Sequence, residues 1–100
     1  MAKPTYALAT VQSKVNELRA NAFTASALNG GQGGLGLTLD EMIGTINLAE
    51  ESDCYKTMPS KVIAGAYQDV YHLETPLVQI AYVKFCLHPR SRVVVSFKEK

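Results

Sequence analysis

The stretch Val78-Gln-Ile-Ala-Tyr-Val-Lys-Phe-Cys-Leu-His88 decides the fold class of this 100-residue chain. Apolar side chains recur at every second position, which is the period of a β-strand with one buried face. Those core-facing positions are Ala81, Val83, Phe85 and Leu87. The same period predicts strands over residues 62–73 and 92–98. Because short turns separate the three segments, we expect an antiparallel meander.

The residues before this meander predict helices. Residues 5–20 place apolar side chains three and four positions apart. Thr38-Leu-Asp-Glu41 is a capping box that starts a second helix, and Ser52 is expected to cap a third, short helix that ends near Met58. Residues 22–28 are a candidate extra strand, and the glycine-rich residues 29–36 predict a mobile loop. Helices against one side of a sheet make an α+β two-layer domain.

Length and composition limit the classes of protein. One hundred residues allow a single domain, 1–100, and 47% apolar residues with a net charge of +1 argue against disorder. No apolar run reaches the roughly 18 residues that span a bilayer, and no secretory signal follows Met1. Two cysteines do not make a disulfide framework. We therefore expect a cytoplasmic protein with reduced thiols and no membrane partner.

Two motifs are weighed and set aside. Gly31-Gln-Gly-Gly-Leu-Gly36 fits the pattern G-x-G-x-x-G. A dinucleotide site needs that pattern between a strand and a helix of a parallel unit, which is not predicted here. The four residues Cys54, Cys86, His72 and His88 lack the paired spacing of zinc ligands, so buried cysteines and surface histidines are the simpler interpretation.

The polar face of the predicted sheet is the candidate site. Tyr82, Lys84, Ser96 and Lys98 project from two neighbouring strands, with Lys56 at the rim. Lysines stabilise the charge that a phosphodiester gains in its transition state, and a tuned Tyr or Lys can transfer a proton. A solvated sheet face is the alternative interpretation.

Four segments carry a family resemblance. They are Ser52-Asp-Cys-Tyr-Lys-Thr-Met58, Tyr67-Gln-Asp-Val-Tyr71, Tyr82-Val-Lys84 and Val95-Ser-Phe-Lys-Glu-Lys100. In this order and spacing the chain resembles the MqsR toxins, the motility quorum-sensing regulators of bacterial type II toxin–antitoxin systems. The similarity is nearly continuous over residues 37–100 and loose over residues 1–36.

The resemblance implies a RelE-like fold and an mRNA interferase that responds to stress. Such a toxin cleaves single-stranded mRNA at GC-containing triplets such as GCU, without the ribosome, a metal or another cofactor, and so inhibits translation and growth. The implied partner is an antitoxin with a zinc-binding N-terminal domain and a helix-turn-helix DNA-binding domain, through which alone DNA is contacted. The resemblance assigns catalytic roles to Lys56, Gln68, Tyr82 and Lys98.

Three further basic residues, Lys84, Arg90 and Arg92, are expected to bind RNA, although the two arginines also suit an acidic antitoxin surface or a solvated turn. Alternation leaves open which face of its strand Gln68 occupies. An inactive binding module that pairs with an antitoxin through an edge strand is the alternative function. The presence of all four family residues favours the ribonuclease.

Overall fold

The computed structural model describes residues 3–61, 63–88 and 92–100. Its sheet has four antiparallel strands in the order β1–β2–β3–β4. They are β1 (Cys54–Pro59), β2 (Tyr67–Glu74), β3 (Ile80–His88) and β4 (Arg92–Glu99). The predicted α+β class and the C-terminal meander are confirmed, and β1 is an additional strand.

Helices α1 (Leu8–Leu18) and α3 (Leu39–Asn47) agree with the two periodic segments of the sequence. The capping box of α3 is present. The Thr38 amide donates to the Glu41 carboxylate at 2.9 Å, and the Glu41 amide donates to Thr38 Oγ1 at 3.1 Å. Each contact satisfies a backbone donor that the first turn of a helix leaves unpaired. No helix of the described residues is long and apolar enough to cross a membrane.

The predicted third helix over residues 52–58 is wrong. Only Glu51–Asp53 forms a helical turn, of the 3₁₀ type, and β1 follows it directly. The local capping signal is real but belongs to other residues, because the Glu50 amide donates to the Asp53 carboxylate at 2.9 Å. Beyond this turn the backbone pairs with β2, and that tertiary pairing overrides the local helix signal.

The predicted strand over residues 22–28 is also wrong. Phe23 forms a single parallel bridge with Val95, after which Thr24 caps the short helix α2 (Ala25–Leu28). Thr24 Oγ1 accepts from the Ala27 amide at 3.0 Å, which turns the chain away from the sheet. These contacts cover part of the outer edge of β4.

The glycine-rich segment is not an open loop. Residues Asn29–Gly34 form a π-helical turn that lies against β4. A Cβ atom on Gly30 would stand 2.5 Å from the Phe97 carbonyl oxygen, so only glycine allows this approach. The glycine at this position therefore serves close packing against the strand that carries Lys98.

The helices cover one face of the sheet, which we call the core face. Val83, Phe85, Val95 and Phe97 on β3 and β4 are buried there, as the alternation predicted. On β2, Tyr71 packs edge-on against Phe85 with ring centroids 5.3 Å apart. The opposite face, which carries Tyr82, Lys84, Ser96 and Lys98 and is bordered by α2 at the β4 edge, is called the open face.

Candidate functional site

The register of the strands builds two rows across the open face. His72 on β2 opposes Tyr82 on β3, which opposes Lys98 on β4. In the neighbouring row, Lys84 lies between Val70 and Ser96. Directly opposed residues project to the same face with their Cβ atoms about 5 Å apart. Hydrogen-bonded pairing thus gathers side chains that are up to 26 positions apart in the chain.

A β-bulge completes the site from β1. The register shifts between Cys54, which opposes Tyr71, and Lys56, which opposes Val70, so Tyr55 is an extra residue. A bulge bends its strand and redirects side chains. Tyr55 and Lys56 consequently both reach the open face, although they are adjacent in a strand.

A cavity of about 570 Å³ occupies the open face. Five lysines and one carboxylate line it, together with two tyrosines, one histidine and one methionine. The lining residues are Tyr55, Lys56, Met58, Lys61, His72, Tyr82, Lys84, Lys98, Glu99 and Lys100. The excess of positive charge makes the cavity a binding surface for an anion.

Aromatic rings form a ladder on one wall of the cavity. The rings of Tyr55 and His72 are stacked with centroids 4.4 Å apart, and His72 and Tyr82 are 5.6 Å apart. Lysine nitrogens flank the ladder, with Lys56 Nζ 5.6 Å from the Tyr55 ring and Lys98 Nζ 5.4 Å from the Tyr82 ring. Contacts of this kind hold flexible ammonium groups near aromatic faces.

The cavity lowers the pKa of two of its basic groups. Partial burial, followed by the neighbouring charges of Lys98, Lys61 and Lys56, lowers the pKa of the Lys84 ammonium. Desolvation, followed by the charges of Lys100 and Lys56, lowers the pKa of the His72 imidazole. Both shifts favour the neutral form, since a positive charge is poorly solvated and repelled there.

Four of the predicted site residues meet in this cavity. Lys56, Tyr82, Lys84 and Lys98 all line it, but Lys56 comes from strand β1 and not from the predicted short helix. Arg92 is exposed at the far end of β4 and does not line the cavity. Arg90 lies outside the residues that the structure describes.

The structure shows which face of β2 carries Gln68, a point that alternation in the sequence left open. Gln68 alternates with Val70 and His72, so it belongs to the open face. Its side chain is only 2% exposed and does not line the cavity. Among the described residues its Nε2 has no hydrogen-bond partner. The amide is therefore held below the surface of the open face, opposite Met58 of β1, which lines the cavity.

Sequence reasoning did not assign six of the residues that line the cavity to the site: Tyr55, Met58, Lys61, His72, Glu99 and Lys100. His72 was considered only as a zinc ligand, and Tyr55 was placed on a helix. The sequence did contain a signal for His72. It alternates with Gln68 and therefore shares a strand face with it, but the sequence did not decide which face that is. No local signal marks Tyr55, because its orientation depends on the bulge.

A second cavity, of about 220 Å³, shares Tyr82, Lys84 and Lys98 with the first and continues towards α2, where Thr24 and Ser26 line it. The two cavities together could hold an extended anionic chain across the shared lysines. No group of three or more His, Cys, Asp or Glu residues in the described parts of the chain is placed to hold a metal ion.

A family model described as "Motility quorum-sensing regulator, toxin of MqsA" matches residues 3–99. The match includes the N-terminal third, where the sequence resemblance was loose. No curated protein matches the chain significantly.

Proposed function

The chain belongs to this family of toxins of toxin–antitoxin systems, and from that premise we propose that it is a metal-free endoribonuclease of bacterial mRNA. Its single domain cleaves single-stranded mRNA in the cytoplasm at GC-containing triplets of the GCU type. Cleavage inhibits translation and growth until the cognate antitoxin binds.

The convergence of Lys56, Lys84 and Lys98 around Tyr82 is the observation that carries the proposal. When a ribose 2′-oxygen attacks the adjacent phosphate, negative charge grows on the nonbridging oxygens. Preorganised ammonium groups stabilise that charge more in the transition state than in the ground state. The products are a 2′,3′-cyclic phosphate and a free 5′-hydroxyl.

Each residue has a defined role in this proposal. Lys56 and Lys98 stabilise the phosphate, and one of them protonates the leaving 5′-oxygen. Tyr82, which lies between His72 and Lys98 in the first row, orients or deprotonates the 2′-hydroxyl, while Gln68 positions the nucleotide from below the open face. Lys84 and, further along β4, Arg92 bind flanking phosphates, and the same is proposed for Arg90.

The openness of the site supports a single-stranded substrate. An unpaired strand can place its bases on aromatic rings while its phosphates meet lysines, whereas the bases of a duplex are not accessible in this way. Because ammonium–phosphate contacts release counterions, RNA affinity should fall steeply as salt rises.

The antitoxin is the second ligand of the chain. Family membership names such a partner; the zinc-binding and helix-turn-helix domains of the partner are part of the proposal. Strand β1 pairs only with β2 among the described strands, so its other edge is open to a partner strand. This edge equally supports the alternative function, a binding module without catalysis.

Incubation of the purified protein with a defined mRNA in EDTA tests the proposal. The wild-type protein should cut at a short recurring triplet and leave cyclic phosphate ends. Lys56→Ala and Lys98→Ala should each reduce cleavage by about 10²-fold or more. Lys14→Ala on α1, a lysine that lines neither cavity, is the matched control and should cleave normally.

The binding-only function makes the opposite prediction. Intact RNA at high concentrations of wild-type protein, together with normal growth when it is expressed without an antitoxin, would overturn the ribonuclease proposal. Cleavage that needs an added divalent metal would overturn the metal-free mechanism alone.

A further inference from the structure

His72 is a chemically distinct group in the large cavity. It lies at the centre of the aromatic ladder, 4.4 Å from the Tyr55 ring and 5.6 Å from the Tyr82 ring between centroids. Its side chain is partly exposed and lines the cavity beside Lys56 and Lys98. The imidazole thus faces the same space in which the phosphodiester is proposed to bind.

The ring nitrogens of His72 are available for chemistry. Stacking on Tyr55 uses the face of the imidazole, while both nitrogens point outward in the plane of the ring. Neither nitrogen has a hydrogen-bond partner among the described residues. Tyr55 therefore orients the ring without blocking its proton-accepting edge.

Few groups in the cavity can accept a proton near neutral pH. Lysine and tyrosine side chains ordinarily hold their protons up to a pH of about 10. Burial and the charges of Lys100 and Lys56 keep the pKa of His72 below its ordinary value of 6.5, so the imidazole is mostly neutral at pH 7. The carboxylate of Glu99, at the exposed end of β4, is a second candidate, and the Lys84 amine, whose pKa is also lowered, is a third.

We propose that His72 is the catalytic base of the reaction, which accepts the proton of the ribose 2′-hydroxyl. The inference rests on the proposed ribonuclease function. The 2′-oxygen passes its proton to an imidazole nitrogen and forms a bond to phosphorus. The bond from phosphorus to the 5′-oxygen breaks, and that oxygen takes a proton from the ammonium group of a cavity lysine. Nothing is oxidised or reduced, and solvent later removes the proton from His72 and restores that of the lysine.

This assignment gives Tyr82 a different role. The phenol of Tyr82 stands next to the imidazole and to Lys98, where it orients the 2′-hydroxyl by a hydrogen bond. The charged and titratable groups that surround His72 include Lys56 and Tyr55 from β1 and Tyr82 and Lys84 from β3. Lys61 precedes β2, and Lys98, Glu99 and Lys100 come from the end of the chain. On its other side, Asp53 and Cys54 line a further cavity together with Tyr55 and His72.

The test is a pH profile of single-turnover cleavage in EDTA, with saturating protein and an RNA oligonucleotide that contains one cleavage triplet. Wild-type cleavage should rise with pH through an apparent pKa below 6.5 and then level off. His72→Gln should be slower by about 10²-fold at pH 7 and should lose this acid limb. Imidazole added to His72→Ala should restore part of the rate.

Three further variants give the test its specificity. Tyr55→Leu removes the stacking partner but leaves the imidazole, so its acid limb should remain. Glu99→Gln should also keep the limb. Lys100→Gln removes a positive charge near His72, so the limb should move to higher pH, towards 6.5.

Binding is measured separately with an oligonucleotide that carries a 2′-deoxy sugar at the cleavage position and cannot react. His72→Gln should bind it within about twofold of wild type, whereas a residue that only stacks on a base would lose affinity. Circular dichroism confirms that each variant is folded.

The outcomes separate the two proposals. Wild-type cleavage with an unaffected His72→Gln rate, or an acid limb lost in Glu99→Gln instead, overturns the role of His72 and leaves the ribonuclease standing. Absence of wild-type cleavage overturns both.

Discussion

The two faces of the sheet differ although the same strands build both. On β3, Val83 and Phe85 are fully buried on the core face, while Tyr82 and Lys84, which alternate with them, remain partly exposed on the open face. The described helices precede the sheet and pack mainly on its core face, so much of the other face is free for function. Alternation thus separates stability from binding within a few consecutive residues.

The two faces differ less in burial towards the start of β2. Gln68, Asp69, Val70 and Tyr71 are all buried, so both faces are covered there. Asp69 accepts hydrogen bonds from the amides of Thr5 and Tyr6, each at 2.8 Å, and so fixes the segment before α1. Here the open face is part of the protein interior, and its residues should affect stability as well as function.

The largest expected effect is a difference in stability between variants of two neighbouring residues of β3, Phe85 and Lys84. Phe85→Ala should lower the free energy of unfolding by about 3–5 kcal/mol, because it leaves a cavity in the core. Lys84→Gln should leave stability unchanged or slightly higher, since the folded state disfavours this charge, but should weaken RNA binding. Urea denaturation and RNA titration measure the two quantities. Equal loss of stability in both variants would contradict the separation of faces.

An intermediate effect is expected from Asp69→Asn. The neutral amide can accept one of the two backbone hydrogen bonds and presents an NH₂ group to the other donor. Stability should fall by about 1–3 kcal/mol, because hydrogen bonds to a charged group are lost. Amide hydrogen exchange at Thr5 and Tyr6 should accelerate. Unchanged exchange at these two amides would show that the carboxylate does not hold this segment.

The smallest effect on stability is expected from Gln68→Met. The buried Nε2 of Gln68 lacks a partner among the described residues, so an apolar side chain of similar size removes an unpaired donor. Stability should be nearly unchanged or higher by up to about 1 kcal/mol. Cleavage should nevertheless fall, as the proposed positioning amide is gone. A variant that is strongly destabilised would mean that the amide is satisfied in solution.

Much of the fold follows from local patterns in the sequence. The core face of β3 and β4 and the capping box of α3 were predicted residue by residue. Besides the glycine-rich segment, the errors lie at residues 22–28 and 52–58, where local signals pointed to the wrong element. In both places a contact with a distant strand decides the outcome: Val95 for Phe23 and β2 for β1. Local propensity does not contain those partners.

The site divides in the same way. The sequence alone determined which side chains of β3 and β4 share a face, because the period of two is a property of the extended backbone itself. It also carried the family motifs that pointed to Lys56, Gln68, Tyr82 and Lys98. Only the tertiary structure decided that a bulge directs the side chains of both Tyr55 and Lys56 towards the same cavity, and that Gln68 is buried. It likewise decided that His72 lies among lysines from distant positions, since strand register and desolvation arise only when the strands have paired.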